Sequence, residues 1–441
     1  MIHTFLSMLT ILWLPIGISA AVSWSLPRNV CTPSVALVNT SKPTTIVGTG
    51  TPASCNQSAL SAALVKGGII TFNCVSSVND TIIDGAGIVT LNGLEKARIL
   101  NFNRNNFQLS TPKLTVQRLR FINGHCQNAN GGFGQDVAGG AVRTIGGGTT
   151  TVNGSVFTGN QCSNGGGLGI LGSGLTISNS YFATNQATGN GGNPGNGGNG
   201  GALYVDGLGR NVTICGARFT GNQANKFGGA YFRVSYNGSE QNDFENVLVD
   251  SNYVSRNVSG LAGGLYIQGG TITIRNSTIA NNSADGGGAM FLSNDKLVTL
   301  NDVNLLNNTA YTSLGGAFFC SNPVSGSFTG LTIANNYADA FGAAFAFCST
   351  TITLSNSIIA NNTVGNTYPA NACTSMMNGG PGVVQSPINK QKPATGTDAL
   401  CTNGTITKSN NVSIILNSTT WIIKGIGAQP VYLGSAIIPG L

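Results

Sequence analysis

The chain has 441 residues, of which 63 are glycine, 41% are hydrophobic and only 8% are charged. This composition excludes an intrinsically disordered chain, which would be more charged, and a mainly helical chain, which would be richer in helix-forming residues. The net charge of +7 is spread over the whole length without a lysine or arginine run. Nucleic acid is therefore not an expected partner, because its binding needs a concentrated basic surface.

The first element predicted along the chain is a secretion signal. Residues 5–18 form an apolar run, and Ser19, Ala20 and Ala21 are the small residues that a signal peptidase requires. We expect residues 1–20 to be removed as a signal peptide. No later segment reaches the ~18 uninterrupted apolar residues of a membrane helix, so we expect a secreted, extracellular or cell-surface protein with no transmembrane segment in the mature chain.

Three regions are expected after the signal. Residues 21–112 form an N-terminal cap and the first coils, and they contain short strands between residues 69 and 91. Residues 113–364 carry an internal repeat. Residues 365–441 lose the period and are expected to form an irregular C-terminal cap, because an uncovered stack of strands exposes edges that aggregate.

The first motif of the repeat is an apolar residue followed three positions later by asparagine. This asparagine occurs in eight successive copies: Asn160, Asn185, Asn222, Asn252, Asn282, Asn308, Asn336 and Asn362. Five residues before the apolar position the copies are again apolar, and six residues before it they are mostly threonine, an alternation typical of a strand. Three residues before it stand Gly, Asn or Asp, which tolerate the left-handed conformation of a turn.

The second motif is Gly-Gly-Ala or a close variant, as in residues 287–289, and it begins a strand rich in Tyr, Phe, Leu and Ile. Each period thus contains about three short strands and no helix. This pattern predicts an all-β fold, a single-stranded, right-handed parallel β-helix of about 9–11 coils with terminal caps. A propeller blade would need a longer unit with four strands, and a leucine-rich repeat would need regular leucine ladders.

Stacking gives the repeated asparagine a role. Amides at one place in successive coils can hydrogen-bond along the axis, which satisfies polar groups whose burial without a partner would cost about 1–3 kcal/mol each. We expect the eight asparagines to form an internal structural ladder.

The ten cysteines include no Cys-x-x-Cys pair, so disulfides are their expected use. Equivalent positions on neighbouring coils lie within the ~4.4–6.8 Å Cα window for a disulfide. The pairs expected on this ground are Cys126–Cys162 and Cys320–Cys348. Cys373 and Cys401, beyond the last repeat, are expected to staple the C-terminal region, while Cys31, Cys55, Cys74 and Cys215 stay unassigned. Fourteen Asn-x-Ser/Thr sequons leave N-glycosylation as an open expectation.

A candidate binding surface follows the second motif. Adjacent residues of a strand face opposite ways, so one of the two apolar columns in this strand must point outward. We expect the fourth-position column to be the outer one, which would expose a stripe of five side chains: Tyr231, Tyr266, Met290, Phe318 and Phe345. Such a patch is typical of a site for a protein or glycan, although loops or the tail could instead pack over it.

Catalytic chemistry has little support in the sequence. The acidic residues are scattered over different columns, and no Asp-Asp pair or Gly-His-Gly triplet of the polygalacturonase type occurs. His125 precedes a predicted disulfide and is interpreted as a turn residue. The threonine column could suit an ice surface, but Asp243 interrupts it. No metal site and no cofactor are expected.

The paired motifs, as in residues 279–282 and 287–290, resemble the repeats of chlamydial polymorphic outer-membrane proteins over roughly residues 113–364. Residues 81–87 are similar to an early-coil segment of pectin-lyase-like β-helices. Both resemblances imply a right-handed parallel β-helix. Only residues 365–441 follow the repeats, too few for the membrane barrel that ends such autotransporters, so display by that route is not expected.

These observations favour a non-catalytic protein that acts in adhesion or extracellular interaction with a glycan or protein surface. The alternative is a polysaccharide lyase or glycoside hydrolase of the pectin-lyase-like fold, because one scaffold supports both roles. Asp and Arg side chains that converged from at least three adjacent coils in one groove would favour the enzyme.

Overall fold

The computed structural model describes a large part of the chain. The described residues are 31, 37–74, 89–92, 98–103, 108, 113–126, 137–191, 196–207, 209–322, 325–366, 372–386, 400–404, 406–408, 413–416, 421–424 and 431–433. The predicted signal peptide lies outside them.

An N-terminal unit precedes the stack. The strands Thr45–Val47 and Ile70–Phe72 pair in parallel, and the 3-10 turn Pro52–Ser54 and the helix Gln57–Lys66 lie between them. Asn56 caps this helix, since its side chain accepts a hydrogen bond from the N–H of Ala59.

A complete coil of the stack has four strand positions in a fixed order, which we call series A, B, C and D. Series A comprises Leu100–Asn103, Val142–Ile145, Leu168–Leu171, Leu203–Asp206, Tyr231–Val234, Phe318–Ser321 and Phe345–Ala346. Series B comprises Lys113–Gln117, Thr149–Asn153, Gly174–Ser178, Val212–Cys215, Gln241–Glu245, Gly326–Thr329, Ile352–Ser355 and Asn378–Gly379.

Series C comprises Val89–Asn92, Leu119–Ile122, Val156–Thr158, Tyr181–Ala183, Arg218–Thr220, Leu248–Asp250, Thr332–Ala334, Ile358–Ala360, Val383–Ser386 and Ile406–Lys408. Series D comprises Gln161–Cys162, Gln186–Ala187, Gln223–Ala224, Tyr253–Val254, Ser283–Ala284, Thr309–Ala310, Tyr337–Ala338 and Thr363–Val364. On two coils, the continuous strands Leu265–Ala280 and Met290–Leu306 run through the A, B and C positions.

Every series stacks on itself in parallel. In series A, for example, Leu168 lies opposite Val142 on one side and Leu203 on the other. The result is a parallel β-solenoid of about ten turns, which confirms the predicted fold class and is consistent with a pectin-lyase-like β-helix.

Pairing continues beyond the point at which the sequence motif is lost. Val383–Ser386 pairs in parallel with the series C strand Ile358–Ala360, and Ile406–Lys408 pairs with it in turn. A separate antiparallel sheet follows, formed by Ser413–Leu416, Trp421–Lys424 and Val431–Leu433. The loss of the motif after residue 364 therefore marks a change of sequence rather than the last stacked strand.

The inside of the solenoid is apolar and closely stacked. Along series C, the rings of Phe121, Phe157, Phe182 and Phe219 are all fully buried, with successive centroids 4.8, 4.7 and 4.9 Å apart. The spacing matches the ~4.8 Å separation of paired strands, so one ring from each coil adds to a continuous column.

The asparagine ladder runs beside this column. Each amide nitrogen donates to the amide oxygen of the next asparagine, at 2.8–3.0 Å from Asn160 through to Asn362. The same nitrogen donates to a backbone carbonyl of the preceding coil, as Asn252 does to Phe219 at 3.0 Å. Buried polar atoms thereby obtain partners within an apolar interior.

Five disulfides are present, and the described residues contain no free cysteine. Three of them confirm the predicted pairs, Cys126–Cys162, Cys320–Cys348 and Cys373–Cys401. The other two are Cys55–Cys74, within the N-terminal unit, and Cys31–Cys215, which ties the N-terminal segment to series B across 184 residues.

The structure contradicts the expectation that the fourth-position column points outward. Tyr231, Met290 and Phe318 are fully buried and Phe345 is 1% exposed, and all four belong to the internal core. The facing was misassigned because both columns of this strand are apolar. In strand register, Leu265 and not Tyr266 lies between Tyr231 and Met290, so the alignment that the glycines suggested was one position off at that coil. Tyr266 alone of the five points outward, and it is 5% exposed.

The outer side of series A carries a second aromatic column. It contains Tyr204, Phe232, Tyr266 and Phe291, whose successive ring centroids are 5.2, 5.0 and 4.9 Å apart. The segments between series D and series A cover it, and the ring of Phe227 stacks on Tyr266 at 5.0 Å. Loops therefore fill the surface on which a ligand stripe was expected.

Candidate functional site

The exposed chemistry that recurs along the stack lies on series D. The residue that directly follows each ladder asparagine points outward, and strand pairing aligns these residues in one column: Gln161, Gln186, Gln223, Tyr253, Ser283, Thr309, Tyr337 and Thr363. We call this column, together with Arg256, Tyr311 and Asp339 beside it, the D face. Its members are amides, hydroxyls and phenols, with one cation and one carboxylate.

Hydrogen bonds fix one part of the D face. Tyr253, which is 40% exposed, donates its hydroxyl to the Oε1 of Gln223 at 2.9 Å. The Nε2 of Gln223 donates to the Oγ of Ser255 at 3.2 Å, and that hydroxyl donates to the Oδ1 of Asn225 at 3.0 Å. The Tyr253 ring is thereby held in one orientation while part of its surface stays exposed.

A cation–aromatic pair lies further along the same face. The guanidinium carbon of Arg256 lies 3.6 Å from the ring centroid of Tyr311. The buried carboxylate of Asp285 accepts hydrogen bonds from the N–H groups of Asn257, Val258 and Gly260 at 2.9–3.1 Å, which fixes the loop that carries Arg256. A hydrogen bond with Ser283 and the neighbouring Arg256 lower the pKa of the Tyr311 hydroxyl.

Tyr337 and Asp339 form the next part of the D face. The Tyr337 hydroxyl donates to the Oδ1 of Asp339 at 3.3 Å. Partial burial and this neighbouring carboxylate raise the pKa of the Tyr337 hydroxyl. In register, Tyr337 lies three coils beyond Tyr253, with Ser283 and Thr309 between them, about 14 Å along the axis.

Series B forms a second polar face. Its outward column carries the predicted threonines, and Asp243 lies opposite Thr213 and Thr273. The Nη2 of Arg275 lies 3.5 Å from the Oε2 of Glu245, a partly exposed ion pair. Such a pair contributes little to stability in water.

Two buried carboxylates, Asp206 and Asp295, lie near the corner between series A and series B. Asp206 is 1% exposed and accepts hydrogen bonds from the Tyr204 hydroxyl at 2.5 Å and from the N–H of Gly207 at 2.6 Å. Asp295 is 4% exposed, and burial raises its pKa to about 8, although the nearby backbone N–H groups of Ser293 and Gly269 act in the opposite direction.

These acids come from different coils but do not converge in an exposed groove. Asp206, Arg233 and Asp295 are each at most 4% exposed, and no ion pair joins them within the described part of the chain. Among the same residues, no three His, Cys, Asp or Glu side chains are grouped in a way that could hold a metal ion. His125 pairs as a single bridge with Gln161, next to the disulfide of Cys126.

Sequence reasoning missed the D face, although the signal was available. The asparagine ladder marks the position, and the residue immediately after each ladder asparagine is the outward one. The column begins with three glutamines and then changes to Tyr, Ser and Thr, so a search for one residue type conserved in all eight copies passes over it.

Comparisons with known proteins add no relative. No family model matches the sequence, and no curated protein and no solved structure matches it. In the described residues, no helix has the length and apolar character needed to cross a membrane.

Proposed function

We propose that the protein is exported and acts outside the cell, free or at the cell surface, as a non-catalytic binding protein in adhesion or extracellular interaction. Five disulfides are compatible with that location, because disulfides persist in oxidising compartments. A cleaved signal peptide, N-glycosylation and the likeness to the repeats of polymorphic outer-membrane proteins belong to the same proposal.

The observation that carries the proposal is the D face. Tyrosine offers an apolar ring and a hydroxyl, which together can pack on the C–H face of a sugar and bond its hydroxyl groups. Glutamine, serine and threonine supply further donors and acceptors at each coil spacing. We therefore favour an extracellular glycan as the partner, bound along the axis between Tyr253 and Tyr337.

A binding assay with paired variants tests this proposal. Tyr253→Ala combined with Tyr337→Ala should lower the affinity for the glycan about 5- to 150-fold, the loss expected for two aromatic contacts of ~0.5–1.5 kcal/mol each. Thr213→Ala combined with Thr353→Ala, exposed on series B, is the matched control and should leave retention unchanged. Equal effects of both double variants would contradict a site on the D face. Binding that survives glycan removal from the target would identify a protein surface instead.

One observation favours a second function, a polysaccharide lyase or hydrolase. Carboxyl groups with a raised pKa occur often at catalytic sites, and Asp295 is such a group. If it acts as an acid in turnover, Asp295→Asn should abolish the release of reducing ends or unsaturated products from polysaccharides. Product release that is unchanged in Asp295→Asn would remove this residue from the mechanism.

A further inference from the structure

One coil of the solenoid is polar inside. Four polar residues of the coil that runs from series A to series B between residues 231 and 245 are buried. Tyr231, Arg233 and Asn242 are fully buried, and Glu240 is 1% exposed. Arg233 is among the largest fully buried side chains of the described residues. A charged group in that position needs partners, because burial removes its hydration.

The coils on either side are apolar at the same positions. Arg233 lies in register between Val205 and Ile267. Asn242 lies between Val212 and Ile272. Replacement of such residues by polar ones is therefore a local feature of this coil and not a property of the repeat.

Some of the polar atoms have partners at the corner between the two series. Arg233 donates from Nε to the Oγ of Ser235 at 3.3 Å and from Nη2 to the carbonyl of Arg210 at 2.6 Å. The N–H of Asn237 donates to the Oε1 of Glu240 at 3.3 Å.

Arg233 and Glu240 approach the same turn of the preceding coil. Arg233 bonds the carbonyl of Arg210, and a Cβ at Gly209 would lie 3.8 Å from the Oε1 of Glu240. The hydroxyl of Tyr231 donates to the Oδ1 of Asn242 at 3.0 Å. Burial raises the pKa of that tyrosine, and the charge of Arg233 opposes this shift in part. The four side chains thus share one corner.

Three atoms of this group have no hydrogen-bond partner among the described residues. They are the Nη1 of Arg233, the Nδ2 of Asn242 and the Oε2 of Glu240. No direct ion pair joins Arg233 to Glu240 within the same residues. Two donors and one acceptor are thus left at one buried corner, and burial without a partner would destabilise the fold at each of them.

We propose that Arg233 and Glu240 form a solvent-separated ion pair inside the solenoid, bridged by one internal water molecule. The water accepts hydrogen bonds from Arg233 Nη1 and Asn242 Nδ2 and donates one to Glu240 Oε2. Internal waters commonly make about three hydrogen bonds to buried groups that otherwise lack partners. The residue types and the number of free atoms match that pattern.

A double-mutant cycle tests the coupling through the water. Arg233→Met and Glu240→Gln, alone and together, are compared by urea unfolding of the full chain. Each single variant should lower the folding equilibrium constant, because it leaves a buried charge without its partner. The double variant should lower it several-fold less than the product of the single effects. Glu240→Gln keeps the side-chain shape, and Arg233→Gln, which also removes the charge, replaces Arg233→Met if the latter does not fold.

The exposed pair Arg275 and Glu245 provides the matched control. Arg275→Met and Glu245→Gln should combine within about twofold of the product of their single effects, as expected of a surface ion pair. The same additive result for the Arg233 and Glu240 variants would overturn the proposal. A crystal structure that resolves ordered water should show one water within hydrogen-bond distance of all three atoms. A direct Arg233–Glu240 contact, or no water there, would also overturn it.

Discussion

At the scale of single residues, the ladder asparagines show how one side chain can be essential to a stack. Asn252 receives hydrogen bonds from both the backbone N–H and the side-chain nitrogen of Asn222, and it donates to Asn282 and to the Phe219 carbonyl. Removal of this one amide leaves buried atoms on two neighbouring coils without partners, so its effect exceeds that of a single bond.

We predict that Asn252→Ala lowers the free energy of unfolding by at least about 2 kcal/mol, because several buried donors and acceptors lose their partner at once. Asn301→Ala, on the partly exposed side of series B, is the control and should change it by no more than about 0.5 kcal/mol. Urea unfolding of the two variants measures the difference. Equal effects would mean that the ladder contributes no special stability.

Asp295 is the residue whose effect depends on pH. Burial raises its pKa in the folded state to about 8, well above the ~3.9 of an unfolded aspartate. Between these two values the unfolded chain loses the proton while the folded chain keeps it, so unfolding becomes easier as pH rises. Below about pH 4 and above about pH 8, folded and unfolded chains have Asp295 in the same protonation state, so its contribution to the free energy of unfolding no longer changes with pH. Burial, together with the charge of Asp295, also raises the pKa of Tyr266 to about 12.

Asp295→Asn should therefore be more stable than the native chain by a margin that grows from about pH 4 to about pH 8. Thermal melting of both proteins across that range measures the margin. A margin that is constant with pH would show that the carboxyl has an ordinary pKa in the folded protein.

At the scale of strands, identical side chains in register supply the packing. The rings of Phe157 and Phe219 lie 4.7 and 4.9 Å from the ring of Phe182, which is fully buried between them. A strand of three residues, Tyr181–Ala183, has few hydrogen bonds of its own, and the column of rings holds it in place on both sides.

We expect Phe182→Ala to lower the free energy of unfolding by about 3–5 kcal/mol, the usual effect of a large cavity in a core. Phe347, which is 54% exposed, gives the matched control, and Phe347→Ala should have an effect within about 0.5 kcal/mol. Similar losses in both variants would contradict the internal column.

Strand periodicity predicted much of the fold because the repeat is regular. The ladder asparagines and the disulfides Cys126–Cys162 and Cys320–Cys348 follow from counting residues between equivalent positions. Counting residues could not show which of the two side-chain columns of the series A strands points into the core. Both columns are apolar, since one fills the core and the other is covered by loops, so alternation gives no direction.

At the scale of the whole molecule, the disulfides connect parts that the repeat does not relate. Cys31 and Cys55 lie before the repeat begins, so no register argument could assign their partners. The Cys31–Cys215 bond is supported by a further contact of the same segment, since the N–H of Val38 donates to the side chain of Gln117 at 2.9 Å. The N-terminal segment thus contacts series B at two separate coils.

Removal of the two N-terminal disulfides should differ in effect. In the chain-entropy description, a bond that closes 184 residues should stabilise by about 2 kcal/mol more than one that closes 19 residues. Cys31→Ser with Cys215→Ser should therefore lower the melting temperature more than Cys55→Ser with Cys74→Ser. The reverse order would show that local strain in the native state, rather than loop closure, decides the outcome.

The most direct test of the functional account measures binding and turnover in the same sample. The secreted chain is incubated with neutral and acidic polysaccharides, with and without Ca²⁺, and both retained protein and released reducing ends or unsaturated products are recorded. The account predicts retention that depends on Tyr253 and Tyr337 and no product. Product that accumulates with time and in proportion to protein concentration would contradict the claim that the protein only binds. It would direct attention to the carboxylates between series A and series B.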